Sequence, residues 1–249
     1  MSVSVDAIDR LARICDEIDA RGRVRVSVLA ADLAVSEMTI RRDLDVLAEQ
    51  GRVRRVRGGA LALGPQRFSE RYAVQARAKE RIAATLVALV PESGAVGLDA
   101  SSTLQRLAAA ITGARQLTVA TNGLEAFATL RDRPGVTVLL SGGQHDGRTD
   151  SLVGPLAARA AQDLSLERLF LSAAGLTADG TTEATLEEAA VKLALADVSG
   201  EVVLAVDHTK LGRAGVARCL PLNRIDLLVT DLEPKDERLR PYRGRVRVL

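Results

Sequence analysis

The sequence predicts two folds in one chain: a small helical module with a two-stranded wing, followed by a larger α/β domain built on a mostly parallel sheet. Three observations lead there. Apolar residues recur at helical spacing through roughly the first fifty positions. An arginine strip interleaved with valines then ends in Gly58-Gly59. Further on, short apolar runs alternate with helical stretches, the cadence of a parallel sheet with covering helices. A chain of 249 residues has room for such a pair.

From Ala7 to Ala20, Ile8, Leu11, Cys15 and Ile18 follow one another at helical steps, and Gly22 is the expected stop. After Val24 and Val26, Ser27 is the expected N-cap of a short second helix carrying Leu29, Ala30 and Leu33. That helix ends near Val35, and Ser36 caps a third helix from Glu37 to Glu49, closed by Gly51. Ile40, Leu44 and Leu47 share one face of the third helix. Met38, Arg42 and Asp45 therefore point the other way, with Thr39 and Arg41 on the flanks.

Two short helices around a tight turn, the second polar and basic on its open face, match a helix-turn-helix whose second member enters a DNA major groove. Four arginines and no acid lie between Gln50 and Ala60. Arg54, Arg55 and Arg57 there suit a wing that places guanidinium groups on phosphates or in the minor groove. Taken by themselves, these arginines fit a solvated face equally well. The net charge of +2 decides nothing, since residues 1 to 60 hold eleven arginines against ten acids.

The reader is assigned to residues 1–60. Residues 61–77, with Gly64-Pro65, form a hinge that runs into a helix beginning near Gln75, and residues 78–249 form the second domain. Strands are expected at Ala95 to Leu98, Leu117 to Ala120, Val136 to Leu140, Leu169 to Leu171, Val202 to Val206 and Leu227 to Val229. Helices are expected at Ser102 to Ile111, Gly123 to Leu130, Gly154 to Asp163 and Thr185 to Asp197.

Polar or small residues follow each run at once. Asp99 to Thr103, Thr121-Asn122, Gly142-Gly143, Asp207 to Lys210 and Asp231 all gather at the carboxyl edge of a parallel sheet, where ligands bind. Each has a plain reading as a cap or turn. Ser101, Ser102 and Thr103, however, put hydroxyls and backbone donors at a helix start, a ready anion site. The chain has only four lysines, Lys79, Lys192, Lys210 and Lys235, against thirty arginines, which gives weight to Lys210 beside a strand end. Asp99, Asn122 and Asp207 then suit hydroxyl groups, His208 adds a neutral hydrogen-bonding group, and Gly142 and Gly143 allow close approach to the backbone.

No run of about 18 apolar residues and no leader pattern is present, so no membrane partner and a cytoplasmic location are expected. Cys15 and Cys219 lie far apart, and His145 and His208 have no ligand-spaced companions, so neither a disulfide, a metal nor a cofactor is expected.

The run from Val35 to Leu44, with Leu47, Gly51, Arg55 and Gly58-Gly59-Ala60 at matching distance, resembles the signature of the DeoR family of bacterial transcriptional regulators. Arg57 stands where that family usually has histidine, which replaces a titratable charge with a permanent one. The resemblance continues through Asp99 to Thr103, Thr121-Asn122, Gly142-Gly143, Glu188 with Lys192, and Asp207 to Lys210 with Thr209 in the usual serine place. It implies a winged helix-turn-helix joined to a sensor domain similar to ribose-5-phosphate isomerase. The implied partners are double-stranded operator DNA and a small-molecule effector, a phosphorylated sugar or related metabolite. One reader covers a single half-site, so a homodimer or a dimer of dimers is expected. The rival is an isomerase-like enzyme with a DNA-binding head, because Asp99, Glu188, Asp207 and Lys210 are competent for proton transfer.

Overall fold

The computed structural model describes residues 5–21, 23–49, 53–62 and 67–249. They fall into two compact units, Met1–Arg71 and Tyr72–Leu249. The expected stops at Gly22 and Gly51, the Ile8 side chain, Arg52 and Gly64-Pro65 lie outside the described residues.

The first unit is built from α1 (Val5–Arg21), β1 (Arg23–Arg25), α2 (Val26–Asp32), α3 (Glu37–Glu49), β2 (Val53–Val56) and β3 (Gly59–Ala62). Ile14 and Ile18 of α1 meet Leu29, Ile40, Leu44 and Leu47 in one core, with Leu11 and Cys15 at its margin. The wing exceeds its expected two strands: β1 joins it, giving the antiparallel order β1-β3-β2. Arg23 and Arg25 are exposed around buried Val24, the alternation of a half-buried strand too short to stand out in the sequence. Glycine is required at 59, because a Cβ there would lie 1.9 Å from the Val24 carbonyl oxygen.

Ser27 is not the N-cap of α2. The helix begins a residue earlier, Arg25 occupies the cap position without a side-chain bond, and the Val26 amide donates to the Gly58 carbonyl at 2.9 Å. The wing turn thus satisfies the first amide of the helix as it actually begins. Ser36 caps α3 as expected, accepting from the Thr39 amide at 3.1 Å. The expected hinge also contains α4 (Phe68–Ala73), inside which the two units meet in sequence.

The second unit is a three-layer α/β/α sandwich. Its helices are α5 (Ala76–Val87), α6 (Ser102–Ala110), α7 (Leu124–Leu130), α8 (Pro155–Gln162) and α9 (Leu186–Asp197). The strands of the main sheet are β4 (Ser93–Leu98), β5 (Gln116–Thr121), β6 (Val136–Leu140), β9 (Leu166–Leu171), β12 (Ser199–Ala205), β14 (Leu227–Val229) and β15 (Arg247–Val248). They run parallel in the order β15-β14-β12-β9-β4-β5-β6. Alternation along β9 and β12 sends Leu169, Leu171, Val202 and Leu204 toward α8 and α9. Phe170, Val203 and Ala205 face the opposite way, toward α5, α6 and α7.

Two antiparallel additions escaped the sequence reading. One is the hairpin β7 (Gln144–Asp146) and β8 (Ser151–Val153), and the other is a small sheet of β10 (Gly175–Thr177), β11 (Gly180–Glu183) and β13 (Ala217–Pro221). Their strands are short and largely polar, so they lack the apolar run that marks a central parallel strand.

An ion pair ties α1 to α3. Arg10 donates from Nε to Asp43 Oδ2 at 2.6 Å and from Nη2 to Oδ1 at 3.1 Å, a bidentate fork beside the core. Replacing Asp43 with Ala should destabilise the first unit by about 2 kcal/mol, the scale of a charge-assisted hydrogen bond. Hydrogen exchange in the intact chain should show the loss in α1 and α3 amides while β4 and β9 keep their protection.

Candidate nucleic-acid interface and effector site

The exposed side of α3 carries Met38, 60% exposed, together with Arg42 and Asp45. Thr39 is half-buried and its hydroxyl lies 2.9 Å from Ser36 Oγ at the helix start. Arg41 is paired with Glu37 one turn back at 3.0 Å. On the wing, Arg54 and Arg57 are exposed. Arg55 is half-buried and already engaged, with Nε on Asp45 Oδ1 at 2.7 Å and Nη1 on the Gly59 carbonyl at 2.7 Å. The helix therefore offers a polar surface carrying Arg42 beside the Glu37-paired Arg41, and the wing adds Arg54, Arg57 and the exposed Arg23 and Arg25 of β1.

In the second unit the carboxyl ends of the parallel strands place Asp99 after β4, Thr121-Asn122 around the end of β5, Gly142-Gly143 beyond β6 and Asp207 beyond β12 along one sheet edge. The structure brings Asp99 and Lys192 together and adds two partners that the sequence reading missed, Glu183 and Ser172. Lys192 Nζ donates to Glu183 Oε1 at 2.8 Å and to the Ser172 carbonyl at 2.8 Å, and it forms an ion pair with Asp99 Oδ2 at 3.0 Å. The ammonium is thus met by two acceptors and a second carboxylate. Asp99, with no exposed surface, also accepts from the Ser101 amide at 3.0 Å and the Ser172 amide at 2.8 Å.

Glu188 is buried in the first turn of α9, and its amide is capped by Thr185 Oγ1 at 3.2 Å, the first half of a Thr-x-x-Glu capping pattern. Burial raises Glu183 to about 7, and the neighbouring charges of Glu188 and Asp99 push the same way against the pull of Lys192. Lys192 is raised despite its burial, because Asp99, Glu183 and Glu188 surround it.

Ser101 caps α6, accepting from the Leu104 amide at 3.2 Å. Ser102 is buried and its hydroxyl lies 3.0 Å from Lys79 Nζ, which also donates to the Val74 carbonyl at 2.8 Å. Thr103 is buried in the same turn. Lys79 is thus a buried cation at the α6 start, and the scarcity of lysine that drew attention to Lys210 pointed to it equally.

Thr121 Oγ1 accepts from the Gly123 amide at 3.0 Å, closing the turn into α7. Asn122 grips the hairpin: its carbonyl accepts from the Leu152 amide at 2.7 Å and Nδ2 donates to the Leu152 carbonyl at 3.1 Å. Asn122 Oδ1 is buried without a partner among the described residues. The residue lines a cavity of about 200 Å³ with Thr121, Ser141 and apolar side chains of α8 and α9. Gly142 and Gly143 both have positive φ, and a Cβ on Gly143 would lie 2.7 Å from the Val153 carbonyl oxygen, so that glycine also serves hairpin packing.

Asp207 is buried and Oδ1 accepts from the Thr209 amide at 2.9 Å and from the Thr209 hydroxyl. His208 is held by Asp231, through its amide at 2.7 Å and Nδ1 at 2.7 Å. Burial pushes the Asp231 carboxyl upward, but the bonds from the His208 side chain and amide outweigh it and hold the group below its ordinary value. Lys210 is half-buried in the short helical turn that Asp207 caps, with its amide on the Asp207 carbonyl at 3.0 Å. His145 lies away from this group in the hairpin, with Nε2 3.0 Å from Asp150 Oδ1.

Fold and site together define a DNA-reading helix-turn-helix protein with an α/β sensor unit. The model described as "DeoR-like helix-turn-helix domain" matches residues 10–66, and that described as "DeoR C terminal sensor domain" matches residues 74–232. The HTH-type transcriptional regulator GolR of Listeria innocua is 35% identical over 228 residues, covering 90% of each chain. The HTH-type transcriptional repressor GlcR of Bacillus subtilis is 30% identical, over 91% of this chain and 89% of its own. The glycerol-3-phosphate regulon repressor of Escherichia coli is 29% identical, over 89% of both. Among solved structures, ribose 5 phosphate isomerase A from Neisseria gonorrhoeae aligns with 56% of this chain and 53% of its own, at 19% identity and a TM-score of 0.36. The chain belongs to the DeoR family of transcriptional regulators. The curated relatives that match it along most of its length are named as transcriptional regulators or repressors.

The buried cluster carries a pH signature. Glu183 has a folded pKa above its unfolded value, so the folded state holds the extra proton. Its stability contribution is present below about pH 4.5 and is lost as pH rises through about 7. Between pH 5 and 8 the melting temperature of the wild type should fall relative to that of Glu183→Gln, and parallel profiles would remove the assignment. Lys192→Met leaves buried carboxylates unpaired and should cost about 3 to 5 kcal/mol in chemical denaturation.

Proposed function

We propose that this chain is an operator-binding repressor of a sugar or related catabolic operon, whose affinity for DNA is set by a phosphorylated sugar or similar metabolite. The observation that carries the reading is the exposed Met38-Arg42 face of α3 beside a wing bearing Arg54 and Arg57. Arg42 is assigned to a base edge or its adjacent phosphate, Ser36, Thr39 and Arg41 to the helix start and its flank, and Arg54 and Arg57 to phosphates. Two readers act together in a homodimer or a dimer of dimers.

The effector is assigned to the carboxyl edge of the sheet. Its phosphate sits at the α6 start, where Ser101, Ser102 and Thr103 combine with the helix dipole and the buried Lys79 cation, with Lys210 as a second charge. Asn122 supplies an unspent acceptor for a hydroxyl, with Thr121, Asp207 and His208 beside it along the strand ends and Gly142-Gly143 as the backbone approach. Asp99, Glu188 and Lys192 shape the floor. A relative that represses a glycerol-3-phosphate regulon supports a phosphorylated ligand.

The DNA assignment is tested with a duplex enriched from a random pool by the wild-type chain and with its scrambled counterpart. Arg42→Ala should weaken the enriched duplex about tenfold or more and the scrambled one less, the scale of one base contact. Equal losses, or none, would remove Arg42 from base recognition. For the effector, a thermal-shift screen of phosphorylated and unphosphorylated sugars should give a charged hit that stabilises the wild type more than Lys210→Ala. A neutral sugar stabilising both equally, with no phosphate ester active, would overturn the phosphate assignment.

A further inference from the structure

We propose that Arg55 is a positioning residue that locks the wing to the recognition helix, and that it binds no phosphate. The proposal rests on the DNA-binding role above. Three observations carry it.

First, the guanidinium is engaged within the unit through two of its nitrogens. Nε meets Asp45 Oδ1 and Nη1 meets the Gly59 carbonyl, both at 2.7 Å, so one side chain joins the exposed side of α3 to the first residue of β3. Second, Arg55 is half-buried between two exposed neighbours on the chain, Arg54 and Val56. Strand alternation gives it a different outlook from Arg54, and in β2 and the turn that follows, Arg54 and Arg57 are exposed. Third, Asp45 lies on the same helical face as Met38 and Arg42, at steps of three and four residues. A lone carboxylate on a face that meets DNA would repel phosphates. Arg55 neutralises it and, in the same geometry, fixes how far the wing stands from the helix.

Breaking either end of this clamp is one event, so its consequences differ from losing a phosphate contact. Four full-length chains are compared: the wild type, Arg55→Gln, Asp45→Asn and the double variant. Each is titrated by fluorescence anisotropy against the enriched and scrambled duplexes over a range of salt, with circular dichroism melting as a control for folding. Arg55→Gln and Asp45→Asn should each lower the ratio of enriched to scrambled affinity by about fivefold to tenfold. The double variant should lose no more than either single one, because coupled partners are non-additive. The Asp45→Asn chain should keep the wild-type salt slope.

Three results overturn the proposal. One is an Asp45→Asn chain that binds both duplexes more tightly with a steeper salt slope, which would mean Arg55 had been freed onto a phosphate it normally shares. Another is a single Arg55→Gln loss equal on both duplexes with a slope lower by about 1, the mark of a direct phosphate contact. The third is losses in the two single variants that add in the double. Failure of the wild type to enrich or bind any duplex would instead remove the DNA-binding reading itself, so the two failures are distinguishable.

Discussion

The second unit is organised around one buried ammonium. Lys192 reaches from α9 to the end of β4 through Asp99, to the residue after β9 through the Ser172 carbonyl, and to the last residue of β11 through Glu183. A charge that far from water is tolerated only with every donor matched and with opposite charge close by. Here two hydrogen bonds and the adjacent Asp99 carboxylate do this. Asp99 is fixed in turn by two amides, one of which belongs to Ser101, the residue that caps α6. The start of that helix, the ends of two central strands and the small antiparallel sheet are thus held in one connected polar network. Its tightness comes from the cost of leaving any member unpaired.

The first unit uses the same device at smaller scale and closer to water. Its core of about a dozen apolar side chains is modest, and short helices gain little from propensity alone. Arg10 with Asp43 fixes α1 against α3, and Arg55 with Asp45 fixes β2 against α3. Arginine suits both places, since its planar fork holds two acceptors in a set orientation where lysine would offer a point charge. In a chain with thirty arginines and four lysines, the lysines are left mostly for buried or strand-end positions and the arginines join elements. Cation count therefore says little about DNA contacts, and only the partner of each guanidinium separates clamps from contacts.

Much of the fold was legible because its signals are apolar and periodic. The third helix and the six principal strands follow from residue spacing, and Ser36 announced its own cap. What escaped was whatever depends on pairing across the chain. Ser27 looks like a cap in isolation, yet a carbonyl from the wing turn, thirty-two residues from Val26, satisfies that helix start instead. Glu183 sits in the polar run Gly180 to Glu183, which reads as a loop, and no local pattern says that β11 will lay it against Lys192. Of the carboxyl-edge residues, positions along the edge could be read from the strand ends. Which of their atoms would already be occupied could not, because hydrogen-bond capacity is settled by neighbours far away in sequence.

That distinction between spent and unspent atoms separates scaffold from reader at the sheet edge. Lys192 is held by two hydrogen bonds and the Asp99 ion pair, Asp99 also accepts two amides, and Asp207 is occupied with Thr209. A ligand that took a bond from Lys192 would leave Asp99 or Glu183 buried with less compensation, a penalty of several kcal/mol that few contacts to a small sugar could offset. Asn122 Oδ1 starts from the opposite position: buried and unpartnered, it already bears the desolvation cost, so a donor brought to it by a small side-chain adjustment returns that energy to binding. The first turn of α6 already has its Leu104 amide capped by Ser101, so in the proposed site it would favour an anion through the helix dipole and the Lys79 cation. A sensor gains affinity where it completes bonds and loses it where it must replace them. In the proposed effector site the physical weight of recognition would therefore fall on Asn122 and the α6 start, with the Lys192 network holding them in place.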